Sequence, residues 1–229
     1  MLRLIMQYVT RIALTSIVLT NISHASGGIA LGATRLIYNQ DQKQASMPVV
    51  NSTLDKRYLI NAWVEDASAQ KTKSVIVTPP MFVSEAKAEN TLRVVNTNQN
   101  LPQDRETLYY LNVQAIPSVS KAELEETNVL QLAILSRIKM MSRPANLSIR
   151  IEDAPSLLAA GVVNNTAVLK NPTPYFMTLV NISVDGVKQD NLMLEPFSEK
   201  PLKKMGSQVA FQTINDFGAF TDEKVLRIQ

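Results

Sequence analysis

Beyond Gly28 the chain alternates apolar and polar residues with a period of two, and clusters of turn-forming residues interrupt the alternation. Such alternation places one face of an extended segment on a core and the other in water. The first set of predicted strands begins at Ile29–Leu31 and runs on through Leu36–Tyr38 to a turn at Asn39–Asp41. Met47–Asn51, Tyr58–Val64, Ser74–Thr78 (stopped by Pro79-Pro80), Leu92–Val95 and Leu108–Ile116 (stopped by Pro117) follow. A second set comprises Leu147–Ile151, Ala167–Leu169, Phe176–Val184 with a hairpin signal at Asp185-Gly186, Val209–Ile214 and Val225–Ile228. Many short strands at this spacing predict an all-β chain of two β-sandwiches in tandem, 28–145 and 146–229. Trp63 is predicted as a core aromatic. Periodicity leaves Asn128–Ser142 open: Leu130, Leu132, Ile134, Ile138 and Met140 fit a strand face, whereas Leu130, Ile134, Ile138 and Met141 fit a helix face.

The first 25 residues do not fit this pattern. Arg3 and Arg11 flank a segment without acids, an apolar run covers Ile12–Leu19, and small residues follow at Ser23-His24-Ala25 and Ser26-Gly27. This is the layout of a secretory signal, cleaved after Ala25 or Gly27. The apolar run is too short for a bilayer core of ~30 Å, and nothing later in the sequence reads as a membrane span.

Export changes the chemistry available. The chain has no Cys and a single His, His24, which lies in the predicted signal. The mature protein therefore has neither residue, which excludes thiol and imidazole catalysis, His or Cys metal ligation and disulfides. Removing Arg3 and Arg11 leaves 21 basic against 20 acidic residues, too even a balance for a nucleic-acid footprint. No GxGxxG or GxxxxGK[ST] run offers a nucleotide cradle. The acidic run Glu123–Glu126 reads as a solvated loop. No catalytic, metal or cofactor site is predicted.

One segment is far more specific. Leu101–Pro117, LPQDRETLYYLNVQAIP, resembles the signature of the PapD-like periplasmic pilus chaperones. GGIALGATRLIY (27–38), IVTPPMF (76–82), NVLQLAILSRIKMMSRP (128–144), NPTPYFMTLV (171–180) and FQTINDFGAF (211–220) resemble other blocks of that family in the same order, closest to the chaperones of type 1 fimbriae. The resemblance implies two immunoglobulin-like domains set at an angle with a cleft between them. It also implies a non-enzymatic periplasmic protein whose partners are fimbrial subunits and an outer-membrane usher. Such a chaperone lends the last strand of its first domain to a subunit that lacks one.

On that resemblance, Asn128–Ser142 is a strand, with Leu130, Leu132 and Ile134 as the donated side chains. Arg35 and Lys139, with Thr34 as a weaker contributor, hold the subunit's C-terminal carboxylate. Glu106, Arg143 and Asp216 form a charge network between the domains, and one bond in the Pro79-Pro80 loop is cis. Lys139 is out of phase with the donor leucines, so a twist or bulge between Leu135 and Ile138 is expected to turn it into the cleft. Two other classes stay in view. An adhesin or pilus subunit would carry one incomplete sandwich, and an exported hydrolase would need a carboxylate or Ser-Lys pair.

Overall fold

The structure, a computed structural model, describes residues 27–98, 100–118 and 130–229. The predicted signal segment Met1–Ala25 and the acidic run Glu123–Glu126 lie outside the described residues.

The first unit is a sandwich of two sheets. One contains β1 (Ile29–Leu31), β3 (Ala45–Asn51), β7 (Glu89–Asn96) and β5 (Val75–Thr78), in that order and antiparallel throughout. The other runs β2 (Arg35–Asn39), β9 (Ile134–Arg143), β8 (Thr107–Pro117), β4 (Tyr58–Asp66) and β6 (Met81–Ser84). Its β2–β9 pair is parallel and the others are antiparallel. Alternate residues of both sheets meet in one core, with Met47, Val49, Leu92 and Val94 facing Ile60, Val64, Leu111, Val113 and Met140. Truncating Met47, Ile60, Leu92, Leu111 or Met140 to Ala is expected to cost about 2–5 kcal/mol.

The second unit packs β10 (Ala159–Val163), β11 (Thr166–Asn171) and β15 (Ser198–Pro201) against a sheet of β13 (Val187–Lys188), β12 (Met177–Val184), β16 (Gln208–Thr213) and β17 (Lys224–Arg227). The short β14 (Leu192–Leu194) also pairs with β12. Leu169, Leu179, Ile182, Val184, Val209 and Phe211 fill this core. Asn181, at φ +52, marks a bulge in β12, which is why the core phase changes from Leu179 to Ile182 and Val184. Asp185 and Gly186 both have positive φ and close the β12–β13 hairpin with two residues, as their pairing predicts.

The two units share a local device. Asn51 ends β3 and Asn171 ends β11, both buried. The side-chain oxygen of each accepts bonds from the backbone N–H and hydroxyl of the threonine two residues on, Thr53 and Thr173. Their amide groups donate to loop carbonyls, Lys56, Ser84 and Glu85 in one unit and Tyr175 and Glu195 in the other. Buried amides satisfied in this way fix the loops around them.

Several expectations change. Leu147–Ile151 is not a strand: Leu147, Ile149 and Ile151 pack on the second core, but the Ile149 carbonyl accepts the Tyr175 hydroxyl and no ladder partner is present among the described residues. Apolar alternation buried a face there without pairing an edge. The helical turn Ala154–Leu157 follows. Trp63 is not core. It lies on the outer face of β4 between buried Ala62 and Val64, donates to Glu65 Oε1 at 2.9 Å, and has Lys71 Nζ 4.8 Å from its ring centre. The strands β6, β10, β14 and β15 were not predicted; they are short, and β15 is mostly polar. The cis bond is Thr78–Pro79.

Candidate functional site: an interdomain cleft

β9 connects the two units, and its alternation separates two surfaces. Its pairing with β8 runs unbroken from Ala115–Ile134 to Thr107–Ser142, so the strand contains no bulge. Ile138 and Met140 face the first core, and Ile134, in the same phase, pairs with buried Ala115. The odd residues Arg137, Lys139, Met141 and Arg143 face the opposite side, against which the second unit packs. The expected bulge between Leu135 and Ile138 is therefore absent. Lys139 reaches the cleft because it is out of phase with Ile134.

Lys139 pairs with Arg35, the first residue of β2. The two cations are thus lateral neighbours on one sheet face, although 104 positions separate them in sequence. Each touches the second unit: Lys139 Nζ donates to Thr178 Oγ1 at 2.9 Å, and Arg35 Nη1 donates to the Ile214 carbonyl at 3.1 Å. Neither has a carboxylate within ion-pair distance among the described residues. Burial, followed by the charge of Arg35, pulls the Lys139 ammonium down to about 8. Burial also lowers Arg35, against the opposing pull of Asp216 and Glu106. A buried Arg35 and a partly buried Lys139, without a carboxylate partner among the described residues, suit an acceptor-only group, and a carboxylate is one. Thr34 is exposed beside them and abuts Gly218, where an added Cβ would lie 2.2 Å from Thr34 Oγ1.

A second feature leads to the same place. β2 covers the edge of β9 only from Lys139 to Arg143, so the edge from Ile134 to Ile138 is unpaired among the described residues. Leu130, Leu132 and Ile134 are 81%, 68% and 53% exposed. Leu130 and Leu132 precede the strand itself, and Gln131 between them donates to the Pro117 carbonyl at 2.6 Å. Leu135, which was not singled out from sequence, is also exposed and lies on the cleft-side phase. An unpaired edge beside exposed apolar residues favours pairing with another chain.

Glu106, Arg143 and Asp216 meet at the domain junction. Arg143 Nε donates to Glu106 Oε1 at 2.7 Å, and its two terminal nitrogens grip Asp216 at 2.7 and 2.9 Å. The other Glu106 oxygen accepts the Phe176 N–H at 2.8 Å, and the Glu106 N–H donates to the Pro174 carbonyl at 2.9 Å. Burial disfavours the Arg143 cation, but the hydrogen bonds to Asp216 and the nearby carboxylates outweigh it and hold its pKa above the usual arginine range. Thr178, Ile214 and Gly218 were not found from sequence. No local signal marks them, because their role exists only where the second unit docks on the first.

Comparison with known proteins agrees with this architecture. Residues 28–148 match the pili and flagellar-assembly chaperone, PapD N-terminal domain, and residues 153–225 the pili assembly chaperone PapD, C-terminal domain. The probable fimbrial chaperone SfmC of Escherichia coli K12 is 47% identical over 202 residues, covering 87% of this chain and 88% of the relative. The chaperone protein FimC of Escherichia coli K12 is 45% identical over 201 residues, covering 86% and 83%. The crystal structure of the periplasmic chaperone SfaE superposes with a TM-score of 0.76 at 38% identity, covering 88% of this chain and 99% of that one. The SafB chaperone of Salmonella enterica, solved in complex with the SafA pilin, gives 0.78 at 29% identity, covering 87% and 96%. With both domains matched in order and relatives of this similarity along most of its length, the chain belongs to the PapD-like family of pilus-assembly chaperones.

Proposed function

We propose that the protein is a periplasmic chaperone that caps fimbrial subunits by lending them β9 and passes them to an outer-membrane usher. The observation that carries this reading is the β9 edge, unpaired among the described residues, that ends at the Arg35–Lys139 pair. A strand added there lies in line with β2, and it must run parallel to β9, as β2 does, for its C-terminus to reach the start of β2. Its last residue then meets the start of β2, and its terminal carboxylate falls between Arg35 and Lys139. Leu130, Leu132 and Ile134 fill the apolar groove of a sandwich lacking one strand, while the backbone edges satisfy each other's N–H and C=O groups. Glu106, Arg143 and Asp216 tie the domains and keep Thr178 and Ile214 against the two cations. The family is one of chaperones, and no enzymatic chemistry is needed for any step.

Co-expression with a fimbrial subunit from the same assembly system tests the reading. A one-to-one complex should be recovered from the periplasm, and Lys139→Ala should prevent its recovery while the chaperone stays folded. Recovery of the complex at wild-type yield from Lys139→Ala cells would refute the assigned anchor.

A further inference from the structure

The turn just ahead of β8 makes a contact between domains that the charge network does not use. Arg105 lies with its guanidinium carbon 4.8 Å from the ring centre of Phe197, a residue of the second unit. Asp104 holds that guanidinium in place through Nε to Oδ1 at 3.1 Å and Nη2 to Oδ2 at 2.7 Å. On its own this adjacent ion pair would be a solvated surface feature of little consequence.

Phe197 makes it more than that. Its φ of +54 is a left-handed conformation that a bulky side chain adopts only when its surroundings impose it. Its N–H donates to the Thr173 carbonyl at 3.1 Å. Thr173 in turn belongs to the loop fixed by the buried amide of Asn171, which also binds the Glu195 carbonyl. Phe197 is therefore presented rigidly, with its ring half in solvent and a cation against it. Adjacent Glu106 grips the other end of the same loop through Pro174 and Phe176.

We infer that Asp104, Arg105 and Phe197 form a second interdomain fastener, which positions Thr178 and Ile214 against Lys139 and Arg35. Arg105 and Phe197 are positioning residues, as neither lies at the anchor. Its relevance to capture rests on the reading of the cleft as a carboxylate anchor. A partly exposed cation–aromatic contact is worth about 2- to 5-fold in an equilibrium. The fastener thus shares the hold on the closed cleft with the charge network, so weakening it about 2- to 5-fold lowers the closed population.

The test uses the full mature chain and its Arg105→Gln, Phe197→Ala and double variants, with Phe197→Tyr as the conservative control. Lys139 is titrated by NMR in the free protein. Affinity is measured for a synthetic peptide copied from the C-terminal strand of a fimbrial subunit, with a free carboxylate. Loosening the domains should let solvent back to Lys139, so its pKa should rise from about 8 toward the ordinary value of 10.5 in both single variants. Peptide affinity should fall ~2- to 5-fold in each, with no further loss in the double variant, and Phe197→Tyr should behave as wild type. An unchanged Lys139 titration in Arg105→Gln and Phe197→Ala, or losses that add, would overturn the fastener. If the wild-type protein does not bind the peptide, the capture reading fails, and the Lys139 titration still decides the fastener.

Discussion

Raising the pH through the Lys139 titration should switch off carboxylate capture while it stabilises the free chaperone. In the free protein Lys139 titrates at about 8, because burial and then Arg35 disfavour its charge. A bound carboxylate supplies the missing counter-charge, so the complex holds the proton to higher pH. Affinity is then independent of pH well below 8 and falls by up to tenfold per unit above it, which is roughly tenfold between pH 7 and 9. Folding linkage has the opposite sign. A lysine whose folded pKa lies below its unfolded value leaves the unfolded chain holding more protons between about 8 and 10.5, and stability rises across that interval. The assay is calorimetric titration of the subunit's C-terminal peptide from pH 6 to 10, with denaturant melts of the free protein over the same range. Lys139→Arg, which stays charged, should flatten both profiles. Wild-type affinity that stays level to pH 10 while Lys139 itself loses its proton within that range would show that Lys139 does not hold the carboxylate.

Three further outcomes follow from the geometry. Leu132→Glu and Ile134→Glu should abolish subunit capture in pull-downs yet change chaperone stability by no more than about 0.5 kcal/mol, since both side chains are exposed; unfolding of both variants would mean they are core. Arg143→Ala leaves buried Glu106 without its cation and should cost about 3–5 kcal/mol in denaturant melts. Arg143→Ala paired with Glu106→Gln should recover part of that loss, and full additivity of the two would argue against a shared network. Gly218→Ala should lower stability by about 1 kcal/mol or more, because φ is +83 and the new methyl would meet Thr34; wild-type melting would contradict the close approach.

Much of the architecture was readable from alternation alone, because a sandwich core takes every second residue of each strand. Met47, Val49, Leu92, Val94, Leu111 and Val113 all follow that rule. It failed where burial and pairing separate. Leu147, Ile149 and Ile151 alternate and pack without joining a ladder, and the polar edge strand Ser198–Pro201 pairs without alternating. Trp63 misled for a related reason. Its size suggests a core, but its neighbours Ala62 and Val64 take the inward positions and leave its indole beside Glu65 and Lys71. Arg35, Lys139, Glu106, Arg143 and Asp216 were visible through motif resemblance. Thr178, Ile214, Gly218 and the Arg105–Phe197 contact were not, since each depends on how two independent cores dock.

The phase of Lys139 illustrates how a single strand serves two surfaces. From sequence, its odd position points to a twist or bulge that turns it into the cleft. With the register intact, the even residues of β9 continue the core face beyond the end of their own sandwich, and the odd residues face the second domain. On the proposed reading, a subunit strand added to the edge left unpaired among the described residues places alternate side chains with the apolar row while its carboxylate ends at the Arg35–Lys139 pair, where β2 begins. The start of β2 also limits how far such a strand can extend. A subunit extended by several residues beyond its natural terminus would run into Thr34 and Arg35 before its carboxylate reached the cations. On the proposed reading, an anchor placed where the neighbouring strand starts makes chain termination part of recognition, and an internal segment of the same apolar pattern should bind less well than a true C-terminus.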